Sequence, residues 1–238
     1  MVEQETGKDR YAFFSVHDDA KDEGLLDFAR GLLATGNWRF IASGGTKTFL
    51  ADKGGFEVID FADMLIEAFV RQAMAGGITF SEKPEDVPLM IKRMRERGMD
   101  FGAIMHHKVV TLSRELGAML LGDDSPEEVA DREKLFVPRV DLLYCCFYPL
   151  QRAIATPGIT WDEVVKQTDI GGPNMAREAA KGGRIAICDQ ADLPVVLEQL
   201  RQGGIERKTL MRLQAKAEGT VGQYCTASAM YHYDLAAA

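Results

Sequence analysis

Cysteine is scarce in this chain. Only four occur in 238 residues, Cys145, Cys146, Cys188 and Cys225, and no two have CxxC spacing. That excludes a disulfide framework and a zinc-ribbon pattern, and it fits buried thiols in a reducing cytoplasm. Histidine is equally scarce, with four residues, and the His106-His107 pair has no partner at ligand spacing. No metal site and no separate cofactor are therefore expected. Basic blocks are missing: 28 Lys and Arg stand against 36 Asp and Glu, for a net charge of −8. Sequence-independent nucleic-acid binding is excluded on that balance, and a phosphate ligand must be gathered locally against the net field. No apolar run has the length of a membrane span. The polar start MVEQETGKDR lacks an apolar signal region, so neither membrane insertion nor export is expected. Repeats and low-complexity linkers are also absent.

Apolar residues make up 46% of the chain, enough to bury one large core. Strand-like apolar runs alternate with helix-like periodic runs, which predicts an α/β layered fold with a mostly parallel central sheet. Strands are expected at Tyr11–Val16, Trp38–Ala42, Phe56–Asp60, Phe101–Met105, Val140–Phe147 and Gly183–Cys188. Helices are expected over Gly24–Thr35, from Lys47 to the Gly54-Gly55 stop, over Thr160–Gln167 and over Asp192–Gln202. Glu163, three residues after Thr160, has capping-box spacing. Residues 61–98 break the rhythm and read as a helical insertion within a single domain spanning 1–238. Met90, Ile91 and Met94 share one side of its second helix, and the methionine-rich run reads as core filler or as an interface. From Glu206 to Leu235 the periodicity is weaker and interrupted by Gly219 and Gly222.

The stretch Thr168–Lys181, TDIGGPNMAREAAK, carries the most chemistry. Asp169 meets a Gly171-Gly172-Pro173 turn, and Asn174 follows at a helix start, where N–H groups are unpaired and the dipole favours negative charge. Asp169 and Lys181 then stand at opposite ends of a two- to three-turn helix. A plain loop, helix and glycine stop explains the same order. Ser43-Gly44-Gly45-Thr46, between a strand and a helix, can cradle a phosphate with its N–H groups and hydroxyls, or can be a tight turn with a Ser or Thr cap. Ser15 ends the first strand and can face the same crevice, since ligands in open α/β sheets gather beyond the strands' carboxyl ends. Tyr148, held extended before Pro149, either points its hydroxyl there or closes the core as an aromatic lid. His106-His107-Lys108 suits an anion site or a solvated loop. Four strand ends bearing hydroxyl, amide or charged groups converge on a site for a small anionic ligand.

The segments FFSVHDDA, GLLDFARGLLATG, IASGGTKTFLADKG, FYPL and TDIGGPNMAREAAK occur in the order seen in the inosine monophosphate (IMP) cyclohydrolase domain. That domain is the N-terminal half of the bifunctional purine-biosynthesis enzyme. The chain resembles it along most of its length apart from residues 61–107, and the resemblance implies a methylglyoxal-synthase-like three-layer fold. It also implies closure of a formylated aminoimidazole carboxamide ribotide to IMP with loss of water. On that likeness Ser43, Gly44, Gly45 and Thr46 hold the 5′-phosphate, and Asp169 contacts the carboxamide. Backbone N–H groups around Ile170 and Gly171 serve the developing oxyanion, and Gly172 belongs to the same substrate-binding stretch. Tyr148 positions the base, Lys181 shuttles protons, and Thr111 lies in a substrate-binding segment. A homodimer is implied, as is a separate formyltransferase, because the family's second half is absent.

The departures are specific. The family's lysine after the first strand is Asp19 here, and Lys21 arrives later. Lys108 takes an arginine position, Val110 an active-site lysine position, Ser113 a histidine position and Cys146 an asparagine position. Lys108 and Lys21 are the candidates to supply the missing cation. A non-catalytic nucleotide-binding or regulatory protein is the second reading, and a phosphate-eliminating enzyme like methylglyoxal synthase the third.

Overall fold

The computed structural model describes residues 9–78, 83–97, 110–147 and 150–237, apart from the side chains of Pro84 and Met94. The expected strand Phe101–Met105, the His106-His107-Lys108 cluster, Met99 and Tyr148 lie outside the described residues. Five strands, β1 (Arg10–Val16), β2 (Trp38–Ala42), β3 (Val58–Asp60), β4 (Leu142–Cys146) and β5 (Ile185–Ile187), form one sheet in the order β3-β2-β1-β4-β5. Every pairing is parallel, with Phe13 opposite Ile41 on one side and Leu143 on the other. The chain builds β1, β2 and β3 outward in one direction, then returns to add β4 and β5 on the other flank of β1. This reversal opens a crevice beyond the carboxyl ends of β1 and β4, the usual ligand position in such sheets.

A parallel sheet is covered on both faces, so its strands are apolar on both. Residues alternate between two cores along β1. Ala12, Phe14 and Val16 enter one core with α1 (Glu23–Leu33), α2 (Gly44–Gly54) and α10 (Leu193–Arg201). Phe13 enters the other with α3 (Phe61–Ala75), α5 (Arg114–Leu121) and α9 (Gly171–Lys181). These are the three layers. Phe13 and Ile41 are fully buried, and truncating either costs roughly 2–5 kcal/mol. Side-chain caps start many helices: Asp22 for α1, Asp60 for α3, Ser113 for α5, Ser125 for α6 (Pro126–Leu135), and the Thr160–Glu163 box for α8 (Trp161–Gln167).

Residues 61–98 do hold helices. After α3 comes α4 (Val87–Glu96), and Val70, Val87 and Ile91 close a small core of their own with Met90 packed against it. Phe61 anchors α3 to the sheet, edge-on to Phe13 at a 5.0 Å centroid distance. Several strand and helix ends shift by a residue or two from the sequence reading, and two differences are larger. Helix α2 begins at Gly44 rather than Lys47, so the Ser-Gly-Gly-Thr motif is itself the helix start. The C-terminal stretch is one 31-residue helix, α11 (Arg207–Ala237). Gly219 and Gly222 weaken it by roughly 1 kcal/mol each. The buried stripe Leu213, Ala217, Val221 and Tyr224 nonetheless holds it to the body. Among the described residues, no helix is long and apolar enough to cross a membrane.

Candidate functional site

The carboxyl ends of β1 and β2 are tied together by Thr46. Its hydroxyl accepts from the Val16 N–H at 3.1 Å and donates to the Val16 carbonyl at 3.0 Å. Thr46 is therefore a buried stitch between α2 and β1. Ser43, in extended conformation at the N-cap, makes no side-chain cap bond, so among the described residues no side chain caps the first N–H groups of α2. Gly44 takes φ +52°, a conformation that favours glycine, and has open space where a side chain would stand. Lys21 closes over the next residue: its Nζ lies 2.7 Å from the position of a Cβ on Gly45. Asp18 holds that ammonium at 2.7 Å, and the Lys21 side chain is 15% exposed. A cation beside a helix N-terminus is opposed by the dipole. An anion between them satisfies both.

Asp19 turns outward to Arg152 of α7 (Leu150–Ile154) at 2.5 Å, while the short 3-10 turn Asp18–Ala20 delivers Lys21 to Gly45. Ser15 stands in β1 opposite Cys145, half-buried, one residue before the strand's end.

The second wall is the start of α9. The Asp169 carboxylate accepts from the Gly172 N–H at 3.1 Å, and the Asp169 N–H donates to the Tyr224 hydroxyl at 2.6 Å. Tyr224, from α11, is buried and stacks edge-on to Phe147 at 5.7 Å. Burial pushes its phenol up, so it stays neutral. Gly171 and Gly172 are needed for close approach. A Cβ on Gly171 would run into the Thr111 hydroxyl, and one on Gly172 into the Asp169 carboxylate and Phe147. Thr111, Asp169, Gly171 and Gly172 are thus one packed group, with Ile170 exposed at its rim. Behind it the Cys145 thiol donates to the Gly172 carbonyl at 3.6 Å, and burial keeps that thiol protonated.

A third wall comes from the helical insertion. A cleft of about 260 Å³ is lined by Ser43, Gly44, Lys47, Asp60, Arg95 and Val110, among others. Arg95 of α4 reaches Asp63 at 2.8 Å and Asp60 at 3.4 Å, both through Nη2. Sequence reasoning missed Arg95 because the insertion has no repeat of the βα rhythm, and it missed Tyr224 because 55 residues separate it from Asp169. A hollow of similar size beside Trp38, Phe40 and Phe56 lies at the strands' amino ends and brings few polar groups together.

Lys181 is not brought to these walls within one chain. It is exposed at the last residue of α9, ten residues and roughly 15 Å of helix from Gly171. The next residue, Gly182, packs on the Leu120 carbonyl at the end of α5. Lys108 and Tyr148 lie outside the described residues. The other substituted positions serve structure: Val110 is buried, Ser113 caps α5 through the Leu116 N–H at 3.2 Å, and the Cys146 thiol donates to the Cys188 carbonyl at 3.5 Å. No cluster of three His, Cys, Asp or Glu side chains suited to a metal occurs among the described residues.

Fold and site together define an all-parallel α/β protein of the methylglyoxal-synthase-like type, with an anion-suited helix start at the carboxyl edge of the sheet. The chain is similar to part of a bifunctional purine-biosynthesis protein, in line with the sequence motifs. It is 30% identical over 226 residues, 90% of its length, to "Bifunctional purine biosynthesis protein PurH" of Limosilactobacillus reuteri strain DSM 20016. The same figures hold for that protein in L. reuteri subsp. reuteri strain JCM 1112. The chain spans about a third of those relatives, 36% of their length. In fold it is similar to the crystal structure of ForH, with a TM-score of 0.67 and 24% identity, covering 94% of this chain and 100% of ForH. No family model matches the chain.

Proposed function

We propose that this protein is an IMP cyclohydrolase acting on a formylated aminoimidazole carboxamide ribotide. One observation carries the reading. An uncapped α2 start with Lys21 and an α9 start bearing Asp169 both open at the carboxyl edge of the sheet. The first suits a 5′-phosphate. The second suits the reacting end. There Asp169 orients the carboxamide and accepts its proton as the nitrogen attacks the formyl carbon. A C–N bond forms, and the N–H groups of Ile170 and Gly171 meet the charge growing on the formyl oxygen. That oxygen takes up the carboxamide proton and the proton released by the formamide nitrogen, its C–O bond breaks, and it leaves as water, giving the closed ring. Tyr148 would position the base and Lys108 would contribute charge. Thr111 borders the ligand, and Ser15, Ser43, Gly44 and Gly45 border its phosphate end. Thr46 acts by holding α2 in place. Lys181 has no role within one chain in this reading; only a site shared between copies of a homodimer, which the family suggests, would bring it in. A separate formyl-transfer reaction, in the same cytoplasmic setting, supplies the substrate.

The structural use of Val110, Ser113 and Cys146 favours a second reading, a nucleotide-binding protein without turnover. Ultraviolet absorbance of pure protein with micromolar formylated ribotide separates the two. Formation of IMP above background supports the enzyme. Binding of ribotide without turnover supports the second reading, and absence of both rejects each.

A further inference from the structure

We propose that Arg95, delivered by the helical insertion, is a specificity-determining residue that grips the phosphate of the ligand from the Asp60 side of the cleft. The inference rests on the nucleotide-site reading above and adds to it a function for the insertion. Arg95, Lys47 and Asp60 line the cleft that the Ser43-Gly44 turn and Val110 share, so two cations face one carboxylate there. Both ion pairs of Arg95 run through Nη2, to Asp63 and Asp60. A guanidinium carries five donors in a planar fork, so pairs made through one nitrogen leave others to take two oxygens of a phosphate.

The two acids do different work. Asp60 caps α3 through the Ala62 N–H at 3.0 Å, with the oxygen that Arg95 does not touch. It is fixed by the helix it starts, at the carboxyl end of β3. Asp63 sits one residue beyond Ala62 in the same first turn. Arg95 is therefore aimed by a rigid strand-to-helix junction next to the phosphate turn, rather than by a freely solvated partner. A purely structural ion pair between α3 and α4 would not need to border the glycine turn. The small α3–α4 core of Val70, Val87 and Ile91 already joins the two helices.

Isothermal titration of the full chain with IMP, inosine and inorganic phosphate tests this. Arg95→Ala is expected to weaken IMP and phosphate binding about 10- to 100-fold, the range of a lost charge-assisted contact. Inosine binding stays within threefold. Arg95→Lys recovers part of the loss. Asp63→Asn weakens one of the two pairs and leaves the guanidinium aimed by Asp60, so IMP affinity stays within threefold. Equal loss of IMP and inosine binding in Arg95→Ala, or no loss of either, overturns the proposal. So does an Asp63→Asn variant as impaired as Arg95→Ala, since that marks a structural role. If the wild-type chain binds phosphate but not IMP, the cyclohydrolase reading fails, while the phosphate arm still decides on Arg95. If it binds neither, both fail.

Discussion

Replacing Tyr224 by Phe removes one oxygen and little else. The ring keeps its edge-on contact with Phe147 and its buried place on α11, while the Asp169 N–H loses the acceptor it holds at 2.6 Å. An unpaired donor costs about 1–3 kcal/mol when fully buried. Asp169 is only half-buried, so water replaces part of the bond and the cost falls to about 1 kcal/mol. For a chain of this size that is roughly 2–4 °C in Tm. The larger effect is on chemistry. Asp169 is held at two points, its own N–H and the Gly172 N–H bound to its carboxylate, and Tyr224→Phe removes the first. A displacement of about 1 Å at a reacting group can cost about 100-fold in rate. With one tether left, kcat is expected to fall about tenfold, with KM nearly unchanged because the phosphate end is untouched. Steady-state turnover with a parallel thermal melt reads both. A variant with wild-type kcat and wild-type Tm would refute the claim that Tyr224 fixes the carboxylate.

Other perturbations separate stitching from chemistry. Thr46→Val keeps the shape but leaves the Val16 N–H and carbonyl without the hydroxyl that serves both, so urea unfolding should show a loss of roughly 2–5 kcal/mol. A loss under about 0.5 kcal/mol would mean the stitch is not structural. Lys181→Ala should lower kcat less than threefold, because Lys181 ends α9 about 15 Å from Gly171. A loss of a hundredfold would place it in a site shared between copies, and mixing with an Asp169 variant would then restore turnover. Glu178, whose buried Oε2 has no hydrogen-bond partner among the described residues, has its carboxyl pushed up by burial despite the Asn174 hydrogen bond. A raised folded pKa means that the stabilising contribution is complete below the ordinary carboxyl value of 4.5 and is lost as pH rises through the raised one. Glu178→Gln should therefore gain stability relative to wild type on going from pH 4 to pH 7. Parallel melts across that range would count against the reasoning.

Much of the scaffold was written in local pattern. The apolar runs Tyr11–Val16 and Trp38–Ala42 became β1 and β2, and the Thr160–Glu163 spacing became a capping box, because period and capping act within a few residues. Glycine misled in opposite ways. Gly44-Gly45 read as a loop but open α2, and Gly219 with Gly222 read as interruptions but sit inside α11, where a buried stripe outweighs their propensity. The candidate site was legible where one segment carried its own partners, as in Asp169 with Gly172. It was not legible where partners meet through the fold. Nothing local to Arg95 points to Ser43, and nothing local to Tyr224 points to Asp169. Lys181 shows the converse: one short helix joins it to Asp169 in sequence, yet the straightness of that helix keeps them apart.

The central claim is that Asp169 at the start of α9 acts on the substrate. The most direct measurement compares kcat of the wild-type chain and Asp169→Asn at saturating formylated ribotide, with the affinity for IMP measured alongside. Asparagine can still accept from the Gly172 N–H but cannot take a proton, so kcat should fall about 100-fold or more while IMP affinity holds within severalfold. An Asp169→Asn variant that turns over within threefold of wild type would contradict the account.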